Sequence, residues 1–186
     1  MEEKENRRIK LTKVMLKNSL VELMQKSPIN KITIKEICEN ADINRSTFYV
    51  YYADQYALLD EIEDEIILKT TEYVQESDSA ENEEELLETF LTYISENINV
   101  FRVLLCQERD YSFQKHLMDI VMQQFIEKRK SANKWDEGIS EYIFRFTIMG
   151  SMSLIENWID RSLDKSPKEM AEMILLLTTK GLTAYE

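Results

Sequence analysis

Between Thr33 and Tyr52 the chain has room for two helices of about eight residues and one tight reversal. Thr33-Ile34-Lys35-Glu36 has the S/T-x-x-E form of a capping box, in which the threonine oxygen accepts from a first-turn N–H and the glutamate reaches back. Ile34, Ile37, Cys38 and Ala41 then form one apolar face. The pattern stops at Asp42, a short polar residue that tolerates a left-handed turn. Asn44 is placed to cap a third helix running to about Tyr52.

The same periodicity extends outward from this pair. Leu16, Leu20 and Met24, with Ile9, Val21 and Leu23 nearby, predict an amphipathic helix from about 5 to 26, ended by Ser27-Pro28. Asp54 can cap a fourth helix through Leu58, Leu59, Ile62, Ile66 and on to Val74. ESDSAENEEE, from residue 76 to 85, is polar and reads as a solvated linker. Helical patterns resume at 83–98, 99–106 and 111–130, the last ending in KRKSANK, which reads as a solvated basic helix end. They continue at about 136–163 and again after Ser166-Pro167-Lys168-Glu169, a capping box with proline at the first helical position. Only 3 Gly and 2 Pro punctuate 186 residues, too few for a sheet of many short strands. The expected fold class is all-α. An N-terminal three-helix helix-turn-helix domain (1–53) joins a larger C-terminal helical domain (54–186).

Charge is divided unevenly. Residues 1–52 hold ten Lys or Arg against seven Asp or Glu, whereas the remainder holds 13 against 28, within a net charge of -12. A locally basic face on an acidic body can dock DNA while the body repels it elsewhere. Catalysis is not expected. His116 is the sole histidine, no phosphate-binding glycine loop occurs, and the acidic pairs fall in runs that read as solvent-facing. Cys38 and Cys106 fit neither a disulfide framework nor a metal site, so no metal and no cofactor is expected. The N-terminus lacks an apolar leader and no stretch reads as a membrane span, which points to a cytoplasmic chain.

In a helix-turn-helix the second helix enters the major groove N-terminus first, so its leading residues must reach base edges. Arg45, Ser46 and Thr47 suit that task. Tyr49 and Tyr51 can flank the groove and hydrogen-bond phosphates, while Phe48 and Tyr52, four apart, share an inward face. A helical protein-interaction adaptor, with these rings as ordinary core, is the alternative.

TIKEICENADINRSTFYVYYADQYALLDEI, residues 33–62, resembles the DNA-binding region of the TetR family of bacterial transcriptional regulators. The family pattern runs approximately T-x-x-x-I-x-x-x-A-G-V-S-x-x-T-x-Y-x-Y-F-x-x-K-x-x-L, and Thr33, Ile37, Ala41, Thr47, Tyr49, Tyr51 and Leu58 match in register. Asp42 replaces the turn glycine, and Gln55 stands where a phosphate-contacting lysine is customary. The resemblance implies a dimeric regulator, with repression the expected sign, that binds a double-stranded DNA operator through Thr33, Lys35, Arg45, Ser46, Thr47, Tyr49, Tyr51 and Gln55.

The last two helices carry a separate signal. Ile139, Tyr142, Ile143, Phe146, Gly150, Ser153 and Leu154 form a long stripe, and Met170, Met173, Ile174, Leu177 and Gly181 recur at helical spacing. Two such helices from each of two chains can bury one another as a four-helix bundle. In the TetR family this is the dimer interface, which implies Gly150, Ser153, Leu154, Met170, Met173, Ile174, Leu177 and Gly181 as interface residues. FTIMGSMSLIENWID, residues 146–160, also resembles the G-x-x-x-L-I-x-x-W pattern of a Firmicutes-type branch, although Trp158 on its own reads as packing. The family's small effector binds among the C-terminal helices. Phe90, Tyr93, Phe101, Met118, Met122, Phe125 and Met149 are the expected lining of a pocket for a small apolar or aromatic molecule.

Overall fold

The computed structural model describes residues 2–76, 83–106, 113–120 and 137–182. Every described element is helical. The order is α1 (Glu2–Met24), a 3-10 turn (Ile29–Lys31), α2 (Ile34–Asn40), α3 (Arg45–Tyr51) and α4 (Gln55–Glu76), followed by α5 (Glu83–Glu96), α6 (Ile98–Cys106), α7 (113–120), α8 (Glu137–Asp160) and α9 (Pro167–Leu182). The all-α class therefore holds. Two compact units are present, Met1–Ile66 and Ile67–Glu186, so the division falls inside α4 rather than at residue 53. The cause is on α1, where Lys13 and Lys17 hold Glu61 and Glu65 and so tie the first turns of α4 to the N-terminal unit.

The N-terminal core consists of Leu16, Leu20, Val21 and Met24 from α1, Ile37 and Cys38 from α2, Phe48 from α3, and Leu58 and Ile62 from α4. Burying each large aliphatic chain contributes about 1.5–3 kcal/mol. A polar clasp joins α1 to α2: the buried Ser19 hydroxyl donates to the Ile37 carbonyl at 2.8 Å and accepts from Asn40 Nδ2 at 3.2 Å. Pro28 sits at φ -67 before the 3-10 turn, a short element that periodicity did not reveal.

In the C-terminal unit α9 packs against α5 and α8, and α6 against α8. α5 begins at Glu83, where the expected helical pattern overlaps the acidic run, and the carboxylates of Glu84 and Glu85 in its first turn complement the positive end of the helix dipole. Residues 77–82 of that run, KRKSANK, Met122 and Phe125 lie outside the described residues.

The α8–α9 connection shows why a tryptophan ends the G-x-x-x-L-I-x-x-W pattern. Ser162 and Leu163 adopt φ 57 and 59. Leu163 N–H donates to the Trp158 carbonyl at 2.9 Å and Ser162 N–H to the Ile159 carbonyl at 3.0 Å, a Schellman closure without glycine. Arg102 Nη2 also donates to the Ile159 carbonyl, at 3.1 Å. Trp158 is buried, and its indole N–H donates to the Lys165 carbonyl at 2.9 Å, fastening the loop one residue before the cap of α9. There Ser166 N–H donates to Glu169 Oε2 at 2.8 Å and Glu169 N–H to Ser166 Oγ at 3.2 Å, as the capping box requires. Trp158→Phe keeps most of the apolar volume but deprives Lys165 of its donor. It should cost about 1–3 kcal/mol in urea unfolding followed by circular dichroism.

Candidate DNA interface

Both hydrogen bonds of the Thr33 box form: Glu36 N–H donates to Thr33 Oγ1 at 3.2 Å and Thr33 N–H to Glu36 Oε2 at 2.8 Å. The Thr33 hydroxyl also donates to Glu36 Oε2 at 2.7 Å, so this candidate contact is engaged in starting α2. α2 ends at the other half of the motif. Asp42 is left-handed at φ 53, Ile43 N–H donates to the Cys38 carbonyl at 2.9 Å, and Asp42 N–H reaches the Glu39 carbonyl at 3.4 Å. The turn is thus a Schellman motif with aspartate in the place that favours glycine.

Asn44 occupies the N-cap of α3, as expected, but its side chain makes no capping hydrogen bond. Its carbonyl accepts from Thr47 and Phe48 instead, at 2.9 and 3.1 Å. Asp54 does cap α4, with Oδ1 accepting from the N–H groups of Tyr56 and Ala57 at 2.9 Å each. Gln55 is the first residue of α4 and is half-buried.

α3 presents two unlike faces. Phe48 is 0% exposed and Tyr52, at the C-cap, is 4% exposed, as their spacing predicts. Arg45 and Ser46 are exposed, Tyr49 is 57% exposed, and Thr47 and Tyr51 are half-buried. Lys35 is exposed on α2 but pairs with Glu39 at 3.7 Å. Lys35, Cys38, Glu39, Asp42, Ile43, Asn44 and Arg45 line an open hollow of about 390 Å³ between α2 and α3. Burial pushes the Cys38 thiol up in pKa, against the lowering influence of Arg45, which leaves it a poor nucleophile.

Behind the motif lies a charge cluster that sequence reading missed. Lys13 Nζ is 2.8 Å from Glu61, and Lys17 Nζ is 2.7 Å from Glu61 and 2.5 Å from Glu65. Lys13 also stands 5.4 Å from the centre of the Tyr52 ring. Burial alone would raise the pKa of Glu61, but hydrogen bonds from Lys13 and Lys17 outweigh it and bring it to about 2. The Tyr52 hydroxyl is buried near Glu61 without a hydrogen bond of normal geometry, and burial followed by the charge of Glu61 drives its pKa upward.

The expected effector residues sort differently. Phe101 is buried, while Phe90 and Tyr93 are half-buried. With Tyr73, which was not anticipated, they form a run of ring contacts: Tyr73–Phe90 at 5.2 Å, Tyr73–Tyr93 at 6.0 Å and Tyr93–Phe101 at 5.7 Å. Met118 is half-buried on α7. Met149 is 52% exposed on α8, so it does not line an interior pocket of one chain.

Of the expected interface residues, Gly150, Ser153 and Leu177 are exposed, Leu154 and Met173 half-buried, and Gly181 falls in the last turn of α9. Met170 and Ile174 are buried within the chain itself, because the packed side of α9 uses them. Tyr142 and Phe146 are 80% and 79% exposed. His116 is exposed on α7, and among the described residues no cluster could hold a metal ion.

A TetR-class family model described as a transcriptional regulator C-terminal region matches residues 81–180. The chain belongs to the TetR family of transcriptional regulators. It is 24% identical over 176 residues to the HTH-type dhaKLM operon transcriptional activator DhaS of Lactococcus lactis subsp. lactis (strain IL1403), which covers 89% of each chain. A TetR transcriptional regulator from Streptococcus agalactiae 2603V shares the fold, with TM-score 0.66 and 19% identity over 96% of this chain and 99% of that one. So does Thermus thermophilus FadR, a TetR-family repressor solved with lauroyl-CoA, with TM-score 0.58 and 15% identity over 91% and 94%. This TetR-family chain is a DNA-binding regulator, which sets the adaptor reading aside. Among its described residues no helix is long and apolar enough to cross a membrane.

The Glu61 cluster makes a pH prediction. A carboxylate whose folded pKa lies below the ordinary value of 4.5 stabilises the fold above that value, and the stabilisation is lost as pH falls toward 2. Glu61→Gln should destabilise α1 and α4 by about 1–2 kcal/mol at pH 6, after allowance for solvent screening. The gap from wild type should close as pH approaches 2. Hydrogen exchange of α1 amides reads it directly, and a gap independent of pH would rule out this origin.

Proposed function

We infer that the protein is a two-fold dimeric repressor whose α3 helices enter successive major grooves of an operator. The observation that carries this reading is the division of α3 between a buried anchor, Phe48, and an exposed edge bearing Arg45, Ser46 and Tyr49. Arg45 at the first turn can pair bidentately with guanine O6 and N7, and Ser46 and Thr47 supply shorter hydroxyls. The hydroxyls of Tyr49 and Tyr51 hold phosphates on either wall. Lys35 and Gln55 approach the backbone from α2 and α4, with Gln55 as a neutral donor.

The dimer forms through α8 and α9. Tyr142, Phe146, Met149 and Gly150 follow one another at helical spacing on α8, all exposed, and Leu176 and Leu177 are exposed on α9. Apolar side chains this exposed are covered by a second copy, and Gly150, with open space around it, permits close approach. A small apolar or aromatic effector binds in the C-terminal unit and alters the separation of the two α3 helices. FadR, which shares the fold, was solved in complex with lauroyl-CoA, a ligand with an apolar acyl chain on a charged CoA head, and DhaS is a relative that activates. The protein acts without catalysis, in the cytoplasm where operators are accessible.

Arg45→Ala tests the reading. Against an operator selected from a randomised duplex library, it should lose about 1–3 kcal/mol, roughly five- to 150-fold, and relax preference at one position of each half-site. An unchanged preference would show that Arg45 reads no base.

A further inference from the structure

Among the described residues of the N-terminal unit, the most exposed large apolar side chain is Val50, 72% accessible in the last turn of α3. Its direction follows from helix geometry. At about 100° per residue, two positions separate side chains by about 200°, so Val50 points directly away from Phe48, the anchor of the buried face. Tyr49 and Tyr51 stand one residue to either side, about 100° from it in opposite senses. Ser46, four residues earlier, lies on the same stripe. If Tyr49 and Tyr51 meet the walls of the groove, Val50 meets its floor.

The chemistry at that position is restricted. A valine side chain has no donor, acceptor or charge, so it can satisfy neither a phosphate nor the polar edge of a base. The major-groove edge offers one apolar group, the C5 methyl of thymine. We propose that Val50 is a specificity-determining residue that reads a thymine methyl in each half-site. The assignment rests on α3 being the recognition helix. It adds an apolar reader near the C-terminal end of that helix to the polar readers of its first turn. Exposed to water in the free protein, the isopropyl group is covered only when the methyl lies against it.

Deoxyuridine in place of thymine removes that methyl and leaves the O4 acceptor and the pairing with adenine intact, so the substitution isolates the contact. The duplex is the operator selected by the wild-type protein from a randomised library, with each thymine replaced singly. One replacement per half-site should weaken wild-type binding about three- to tenfold, as expected for a buried methyl contact. Val50→Ala should weaken binding to the thymine duplex by a similar factor and bind the two duplexes equally. Its exposure makes the variant safe for folding, which circular dichroism checks. If wild type selects its operator over scrambled duplex yet binds every deoxyuridine duplex as tightly as the parent, the assignment is overturned and the recognition helix stands. If wild type shows no selection for any duplex, the recognition-helix reading falls and the assignment with it.

Discussion

The chain between α2 and α3 turns on one left-handed residue. Asp42 at φ 53 lets Ile43 N–H close on the Cys38 carbonyl, and this closure fixes the angle at which α3 leaves α2. A seven-residue helix is too short to be stable alone. α3 exists because its turn is set by Asp42, its buried side is anchored by Phe48, and its C-cap residue Tyr52 packs beneath it. Any chemistry assigned to Arg45 or Val50 depends on that placement. Aspartate is among the few residues with a side chain that tolerates the conformation, and glycine would adopt it without a steric penalty.

Electrostatics divide the labour in the N-terminal unit. Lys13 and Lys17 are spent internally on Glu61 and Glu65, and Lys35 pairs with Glu39, whereas Arg45 stands exposed at the head of α3. The excess of basic residues over 1–52 therefore overstates the charge available to a polyanion. What α3 presents is one guanidinium, short hydroxyls, two phenols and a valine, a surface suited to reading a groove more than to coating a backbone. Each of these side chains sits on helical backbone held by core packing, so little backbone freedom remains to be lost on binding.

Much of this was legible in the sequence because the signals were local. Both capping boxes, the Asp54 cap and the inward Phe48–Tyr52 pair follow from spacings of three or four residues, and the all-α class from scarce turn formers. The long-range partners were not legible. Nothing in a single sequence pairs Lys17 with Glu65, forty-eight residues away, or brings Tyr73 against Phe90. Met170 and Ile174 were expected at a dimer interface because periodicity finds a helix's apolar residues without saying which neighbour covers them; α9 uses both within its own chain. Met149 was misplaced for the converse reason. Val50 could have been found: two residues beyond an inward phenylalanine, a helical side chain must point outward.

In the proposed dimer, two copies of α3 occupy successive major grooves on one face of the duplex. Guanine N7 lies in the major groove, so methylation there is a direct probe. Methylation interference on a selected operator, with adenine N3 methylation as the minor-groove control, tests it without altering the protein. Two symmetric clusters of interfering N7 positions are expected, centred about one helical turn, roughly 34–36 Å, apart, with no interference from the minor-groove adduct between them. A single cluster, or interference confined to adenine N3, would contradict that arrangement.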